Sequence, residues 1–433
     1  MRIVPRKRVV WMVVPLLLVA ACAQQVSGPP PATTVPQQDR GPAVTITEAT
    51  VTPTPSQGNA LVLEPSPAPT TPPAASGRPY TPSGPPPRLD TGSATVSLDS
   101  VVFDTFRGGY IPLSEASDTV IESLRDAIRP IYEPEYESVE GGDWLKDDDL
   151  VIGHASAGAS YAYPVRMLNL HEIVNDYIDG VPVLVSYCPL CVSGVVYNRE
   201  LDGEVLLFRN TSALHESDLV MYDHQTGSYW FQVLGEAVVG PLSGKRLEML
   251  PSATVPGGQW VERHPDTLVL SRDLGLGGPS NRYDSNPFVG YGERVNSSGP
   301  PFPISPITDA RLLPGDRVFA IQVGDSHKGY ALDRAGAWAA NDVVGGSDVV
   351  VIGRDEDGAA AAVAYFSEVD GRVLTWSLEG GVLTDVETGS EWSDAGIAVS
   401  GPLAGSSLWA VPSRTSMWFS LVGALPGIEL YIP

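Results

Sequence analysis

"VGPLSGKRLEMLPS", residues 239–252, has a close counterpart near the end of the chain, "SGPLAGSSLWAVPS" at 400–413. Three more pairs of segments match in the same order and at nearly the same spacing: "NDYIDGVPVLVSY" (175–187) with "NDVVGGSDVVVIG" (341–353), "LDGEVLLF" (201–208) with "VDGRVLTW" (369–376), and "YDHQTGSYW" (222–230) with "TDVETGSEW" (384–392). Ordered matches of this kind indicate an internal duplication. We predict a first repeat over 150–270 and a second repeat over 316–433.

Short apolar runs between Gly, Asp and Asn turns dominate both repeats, which favours strands. We therefore expect an α+β, β-rich fold in which two helix-plus-strands repeats form one pseudo-twofold domain. Residues 95–149 are predicted to lead into this domain, with helical apolar spacing over 118–134. The Gly/Pro-rich connector over 271–315 is long for an inert connection, which makes it a candidate for lining a site.

The first 22 residues have the features of an export signal: a basic start, "MRIVPRKR", and a short apolar run, "VVWMVVPLLLVA". "VAAC", which ends at Cys22, is similar to the lipobox of bacterial lipoproteins, in which the cysteine is lipidated. We predict a lipoprotein signal peptide over 1–22 and a lipid anchor at Cys22, on the extracytoplasmic face of the cell membrane. An ordinary cleaved signal peptide is the alternative. Residues 23–94, rich in Pro, Thr and Ser, predict a disordered stalk.

The chain is strongly acidic, with 51 Asp and Glu against 27 Lys and Arg and a net charge of −24. A surface of this sign repels nucleic-acid phosphates. We therefore expect no nucleic-acid partner. The one partner that the sequence predicts is membrane lipid, through Cys22.

The two repeats differ in the residues that carry chemistry. Both thiols of the folded part and two histidines of the first repeat align with unlike residues in the second: Cys188 with Arg354, Cys191 with Asp357, His171 with Ala337 and His224 with Val386. The first repeat also has 15 residues at 209–223, including His215, where the second has nine. We infer that the first repeat bears a site and the second is structural. Neutral drift of the second repeat is the alternative.

The segment 166–180 has helical spacing and predicts a helix that ends at Gly180 and carries His171 on its packed side. A core histidine satisfied by a hydrogen bond is the simpler interpretation, and a ligand or general base is the functional one. Asp176 is a candidate to orient His171. Asp223 is a further candidate catalytic residue, although its position before "QTGS" also suits a turn.

"CPLC" at 188–191 follows a predicted buried strand, "VPVLVSYC" at 181–188, and allows three interpretations. A thiol redox pair is the first, but the strand-like "VSGVVYN" behind it lacks the helix N-terminus that activates a thioredoxin cysteine. A copper or zinc site is the second, and it needs His171, His215, His224 or Asp223 to complete the shell. A structural disulfide or inert buried thiols are the third, although a bridge across two residues stabilises little.

The order of these blocks resembles a bacterial and archaeal family known as domain of unknown function 3179, over about residues 95–433. The positions that carry the resemblance are Tyr163, Pro164, His171, Glu172, Asn175, Asp176, Cys188, Cys191, Tyr222, Asp223 and Thr226. The resemblance implies one common fold and a site at these blocks, and it implies no activity.

Two classes of function follow from the sequence. The first is a metal-binding or thiol-redox site in the first repeat, formed by Cys188 and Cys191 with His171, His215, His224 and Asp223 as supporting groups. The second is a non-catalytic module for binding or assembly in the cell envelope, with a structural CPLC. Whether the protein is an enzyme stays open.

Overall fold

The chain is described from residue 84 onward by a computed structural model, which covers 84–141, 144–156, 158–275, 282–332, 336–356 and 359–433. All of these residues fall in one compact unit, 67–433. The predicted signal peptide, Cys22 and most of the predicted stalk lie outside the described residues. None of the helices in the described ranges has the length and hydrophobicity that a membrane crossing requires.

The lead-in contributes four short strands and one helix: β1 (Val101–Asp104), β2 (Tyr110–Pro112), α1 (Asp118–Leu124), β3 (Ile131–Tyr132) and β4 (Tyr136–Glu137). The predicted helix over 118–134 begins where expected, with the Ser117 hydroxyl accepting from the N–H of Val120, but it is wrong beyond Leu124. Asp126 has a φ of 54°, in the left-handed region, so the helix cannot continue through it.

The first repeat consists mostly of strands. Its elements are β5 (Leu150–Ala155), β6 (Ser160–Pro164), α2 (Val165–His171), β7 (Ile173–Ile178), β8 (Val181–Cys188), β9 (Ser193–Asn198), β10 (Glu200–Leu201), β11 (Glu204–Val205), β12 (Phe208–His215), β13 (Asp218–Asp223), β14 (Tyr229–Phe231), β15 (Glu236–Val239), β16 (Glu248–Leu250), β17 (Ala253–Pro256), α3 (Gly257–Arg263) and β18 (Leu268–Leu270). The strand predicted over 181–188 is confirmed at both ends.

The helix predicted over 166–180 is wrong after His171. Glu172 adopts a left-handed φ of 58° and caps the helix, with its N–H donating to the carbonyl of Leu168. The residues that follow form β7, which pairs antiparallel with β8. Asp179 and Gly180, both with positive φ, form the two-residue turn of this hairpin rather than a helix end.

The second half begins with the connector helix α4 (Tyr291–Ser298). The elements of the second repeat follow: β19 (Arg317–Val323), β20 (Ser326–Ala331), β21 (Trp338–Val344), β22 (Ser347–Glu356), β23 (Ala359–Phe366), β24 (Glu368–Val369), β25 (Arg372–Val373), β26 (Trp376–Glu379), β27 (Val382–Asp385), β28 (Glu391–Trp392), β29 (Ser413–Met417), α5 (Trp418–Ala424) and β30 (Glu429–Tyr431). The fold is thus β-rich, with five α-helices in the described ranges.

The largest sheet has nine strands and joins the two halves of the chain. Its order is β3-β7-β8-β9-β29-β19-β20-β30, with β16 also paired to β9. A five-stranded sheet has the order β17-β5-β6-β18-β4, and a six-stranded sheet has the order β15-β14-β13-β12-β1-β2. The pairing of β9 with β29 brings the start of α5 against the turn that follows β8, which positions the site described below.

Several contacts of the first repeat recur in the second. The Asp223 carboxylate accepts from the N–H of Thr226 at 2.6 Å and the Trp230 indole at 2.9 Å, and Asp385 accepts from Thr388 at 2.6 Å and Trp392 at 3.0 Å. The strand arrangement recurs too. In the order β17-β5-β6-β18 and again in β29-β19-β20-β30, the last pair is parallel and the others are antiparallel.

Candidate functional site

The CPLC segment forms a tight turn between β8 and β9. Cys188 pairs with Ser193 across the turn, and the N–H of Cys191 donates to the carbonyl of Cys188 at 3.3 Å. Val192 has a φ of 53°, a left-handed conformation that is unfavourable for a β-branched residue. The two Sγ atoms lie 3.2 Å apart, and both residues are buried free cysteines. The turn therefore holds two thiols side by side in the interior.

The third member of the site is Asp218, which comes from the tip of the hairpin β12–β13. Glu216 and Ser217 form the two-residue turn of this hairpin, with left-handed φ values of 50° and 57°. Among the described residues, Cys188, Cys191 and Asp218 are the one set of three potential metal ligands whose ligand atoms all lie within 4.8 Å of one another. The Cys191 thiol also donates to the carbonyl of Ser217 at 3.2 Å.

Burial controls the protonation of this cluster. Burial raises the pKa of Asp218 to about 6, although hydrogen bonds from both thiols oppose the shift. Burial also raises the pKa of Cys188 to about 11, and the nearby carboxylates of Asp218 and Glu172 add to that effect. The pKa of Cys191 is raised well above its usual value for the same main reason. Without a cation, both sulfurs are therefore protonated at neutral pH and are poor nucleophiles.

The second half of the chain closes the other side of the cluster. Ser420 in α5 donates to Asp218 Oδ2 at 3.3 Å, and the N–H of Met417 donates to the carbonyl of Cys191 at 2.8 Å. From the connector, the N–H and the hydroxyl of Ser305 each donate to Glu216 at 2.7 Å. Four elements meet at this cluster: the CPLC turn, the tip of the hairpin β12–β13, the connector and α5. The cluster is therefore complete only when both halves of the chain are packed together.

Glu172 is a buried acid that interacts electrostatically with Asp218 and Cys188. Its carboxylate accepts from the side-chain amide of Asn210 at 2.5 Å. Burial raises the pKa of Glu172 to about 8, and the charge of Asp218 contributes to the rise. Glu172 is therefore mostly neutral at pH 7, and it lies outside the set of three ligands.

His171 has a hydrogen-bond partner on each ring nitrogen. Nδ1 contacts the carbonyl of Arg129 at 2.7 Å, and Nε2 contacts the hydroxyl of Tyr283 at 2.8 Å. Burial lowers the pKa of His171 and so favours the neutral ring, which can donate from Nδ1 to the carbonyl and accept at Nε2 from the tyrosine hydroxyl. The structure does not bring His171 into the set with the cysteines.

The two other candidate histidines also lie outside that set. Nδ1 of His215 contacts the carbonyl of Ser100 at 3.2 Å, and its ring packs edge-on against Phe231. Nδ1 of His224 lies 3.3 Å from a guanidinium nitrogen of Arg209. In the ranges that the structure describes, neither histidine joins the sulfurs.

The two candidate catalytic aspartates sit in separate hydrogen-bond networks. Asp176 accepts from the hydroxyls of Tyr136 and Tyr163, the latter at 2.9 Å, rather than orienting His171. Burial raises the pKa of Asp176. Asp223 accepts from Thr226 and Trp230, as a turn residue does. Catalytic roles for these residues stay predictions.

Asp218 is the site residue that sequence reasoning missed. Its signal was present, because it belongs to the segment 209–223 that is six residues longer than its counterpart. Residue type alone favoured His215 in that segment, since histidine is the commoner metal ligand beside cysteine.

Comparison with curated proteins and with solved structures finds no match. A family model matches residues 125–426, which include the predicted first repeat, the connector, most of the predicted second repeat and every residue of the cluster. The chain belongs to the family described as protein of unknown function (DUF3179).

Proposed function

We propose that the protein is a lipid-anchored, extracytoplasmic domain that holds a buried divalent metal ion on Cys188, Cys191 and Asp218. One observation carries the proposal: two sulfurs and a carboxylate lie within 4.8 Å of one another in the interior. A buried carboxylate costs free energy unless it is paired or coordinates a metal. No ion pair among the described residues includes Asp218 at salt-bridge distance.

Charge balance favours zinc over copper(I). Two thiolates and one carboxylate carry three negative charges. Buried Arg414 interacts electrostatically with Asp218 and supplies one positive charge, while its guanidinium donates to the carbonyl of Val233. A divalent ion supplies the remaining two charges, and a monovalent ion does not. Zinc also accepts this mixture of sulfur and oxygen ligands.

The turn geometry agrees with a metal knuckle. Zinc bonded to both sulfurs at about 2.3 Å in a tetrahedral shell would hold them roughly 3.8 Å apart. The observed 3.2 Å needs only a small opening of the turn. Zinc knuckles usually have glycine at the position of Val192, and Val192 adopts the left-handed conformation that glycine takes most easily.

The burial of all three ligands supports a structural metal rather than a catalytic one. Catalytic zinc keeps a coordination position open to water or substrate. Here Asp218 is 0%, Cys191 0% and Cys188 1% exposed, and the packed α5 covers them. The ion would tie the knuckle of the first repeat to the hairpin tip, and through Ser420 to the second repeat.

The proposal includes the internal duplication, with a pseudo-twofold relation between the repeats. Ser252 and Ser413, which occupy matching positions, bond each other reciprocally: each hydroxyl donates to the other's carbonyl, at 3.1 and 2.5 Å. Reciprocal contacts between equivalent residues are the mark of a twofold axis. The same axis would relate the β9–β29 pair to the contact between β23 and β17.

The test is the metal content of the full-length chain. After purification in buffer containing zinc and copper, wild-type protein should retain about one zinc per chain by plasma mass spectrometry. Cys188→Ser should lose it, because a two-ligand site binds weakly. Cys22→Ser is the matched control: it removes the third cysteine, should keep the zinc, and should move the protein from the membrane to the soluble fraction.

Two results would contradict the metal proposal. Wild-type protein without bound metal is one, and Cys188→Ser with undiminished zinc is the other. A metal-free wild type whose thiols resist labelling until a reductant is added would indicate a disulfide. That outcome would favour the thiol-redox interpretation or a purely structural CPLC.

A further inference from the structure

Tyr291, the first residue of the connector helix α4, has a buried hydroxyl with no hydrogen-bond partner. A buried polar group of this kind is uncommon in folded proteins and calls for an explanation. Sequence reasoning singled out the connector as a candidate to line a site, and none of the roles assigned above uses Tyr291.

The ring of Tyr291 packs against the apolar core cluster that contains Cys188 and Cys191. Burial raises the pKa of the Tyr291 phenol, so the hydroxyl keeps its proton and can donate to an acceptor. The ring itself is fixed from the sides, by Phe288 with ring centroids 5.4 Å apart and by the guanidinium of Arg294, 5.3 Å from the ring centroid.

The missing partner of this hydroxyl follows from the contacts that the sulfurs already make, because the two Sγ atoms lie 3.2 Å from each other. A thiol is a weak acceptor, and the Cys191 thiol is engaged as a donor to the carbonyl of Ser217. A thiolate is a strong acceptor, and metal binding converts both thiols to thiolates by releasing their protons. The acceptor that Tyr291 lacks is therefore the one that the metal would create.

We propose that Tyr291 donates a hydrogen bond to a metal-bound thiolate of the Cys188–Cys191 pair and is a positioning residue of the site. This inference rests on the proposed metal site. Outer hydrogen bonds of this type orient metal ligands and strengthen binding. The connector helix is then coupled to the ion, because Tyr291 gains this hydrogen bond only when the metal is present.

The test compares Tyr291→Phe with Tyr229→Phe in the full-length chain. Tyr229 is the matched control because its hydroxyl is also buried without a partner, but it lies in a different core cluster. Both substitutions remove one oxygen and leave the ring. Zinc affinity is measured by competition with a chromophoric chelator, and the thiolate-to-metal charge-transfer band is measured with cobalt(II) in place of zinc.

Tyr291→Phe should weaken zinc binding by about 10-fold, within the 10–100-fold range for lost outer-shell partners. It should also move the cobalt band to longer wavelength, since a thiolate without its hydrogen bond donates charge more readily. Tyr229→Phe should change neither quantity. Melting of the metal-free proteins should be alike for wild type and Tyr291→Phe, because the hydroxyl has no partner to lose.

The possible results separate the two proposals. If wild type binds zinc and Cys188→Ser does not, while Tyr291→Phe matches wild type in affinity and band position, the Tyr291 inference is overturned and the metal site stands. An equal loss in Tyr229→Phe also overturns it, because the effect would then be a general one. If wild type binds no metal, both proposals fall.

Discussion

The hairpins β12–β13 and β26–β27 begin and end alike and differ in between. Asn175 exchanges two hydrogen bonds with the backbone of Phe208 at the start of the first, and Asn341 does the same with Trp376 at the start of the second. Each ends in an aspartate that accepts from a threonine and a tryptophan. The first hairpin extends further, to the pair His215–Asp218, and it contains a bulge after Asn210.

The additional residues of the first hairpin have two structural roles that the second hairpin lacks. Residues 213–215 pair with β1, which anchors the lead-in to the domain. The tip reaches the CPLC turn and places Asp218 beside the sulfurs. In the second repeat, Arg354 stands at the position matching Cys188 and forms an ion pair with Asp394 at 2.7 Å. Six additional residues in one hairpin thus place a carboxylate beside the cysteine turn, and the second hairpin is too short to do the same.

The largest effect is expected when the hairpin of the second repeat replaces that of the first. Replacing residues 209–223 with "SLEGGVLTD" removes Asp218 and the partner of β1. We expect loss of zinc and a decrease of about 5 kcal/mol in the free energy of unfolding, since burying each apolar side chain such as Val101 and Phe103 contributes roughly 1.5–3 kcal/mol. Urea unfolding and metal analysis measure the two effects.

A single substitution separates the two roles of the hairpin. Asp218→Asn keeps the pairing with β1 and should lose zinc while remaining folded. Retention of zinc by either variant would show that the hairpin tip is not part of the metal site.

An effect of intermediate size concerns Glu172, which Asn210 of the longer hairpin contacts. Because the pKa of Glu172 is raised to about 8 when folded, the native state keeps a proton that the unfolded state loses above about pH 4.5. Stability of the metal-free protein should therefore fall as the pH rises from 5 to 8, by about 3.5 kcal/mol from this group. Asp218, with its pKa raised to about 6, adds a fall of the same sign at lower pH.

Glu172→Gln should flatten the decline in unfolding free energy, measured by urea titration in the presence of a chelator. Exposed Glu368 in the second repeat provides the matched control, since Glu368→Gln should keep the full decline. A Glu172→Gln protein with an unchanged pH profile would mean that another group carries the dependence.

The smallest expected effect tests the likeness of the hairpins rather than their difference. Thr226→Ala and Thr388→Ala each remove a hydroxyl that donates to the aspartate three residues earlier in the same turn, Asp223 or Asp385, at 2.8 Å. Each should lower the free energy of unfolding by about 1 kcal/mol. The two losses should agree within about 0.5 kcal/mol and add in the double variant. Thermal unfolding suffices, and clearly unequal losses would argue against equivalent turns.

Local sequence patterns predicted the immediate surroundings of the cysteines well. The apolar run "VPVLVSYC" and Pro189 place Cys188 at the end of a buried strand, as the structure confirms. The family is confirmed too. The prediction of a helix over 166–180 was wrong after His171 because Ile173, Val174 and Ile178 fit both helical and strand spacing. The left-handed conformation of Glu172 ends the helix, and pairing with β8 makes the following residues a strand.

The composition of the cluster depends on contacts between distant parts of the chain, which no local pattern contains. Asp218 reaches Cys188 only because the long hairpin folds over the nine-stranded sheet. The histidines that residue type favoured are instead held by backbone carbonyls or an arginine, as with His171 and Arg129. Spacing along the sequence showed where the two repeats differ, but it did not show which residue of the longer segment points to the sulfurs.

The pairing of β9 with β29 has a consequence for the time course of folding. Gly194 and Thr415 are neighbours in the sheet, and the elements that cover the cysteines, β29 and α5, lie more than 200 residues after the cysteines in the chain. Pairings this distant in sequence form late and slowly. The two thiols are therefore covered late in folding, only once β29 and α5 have packed against the first half of the chain.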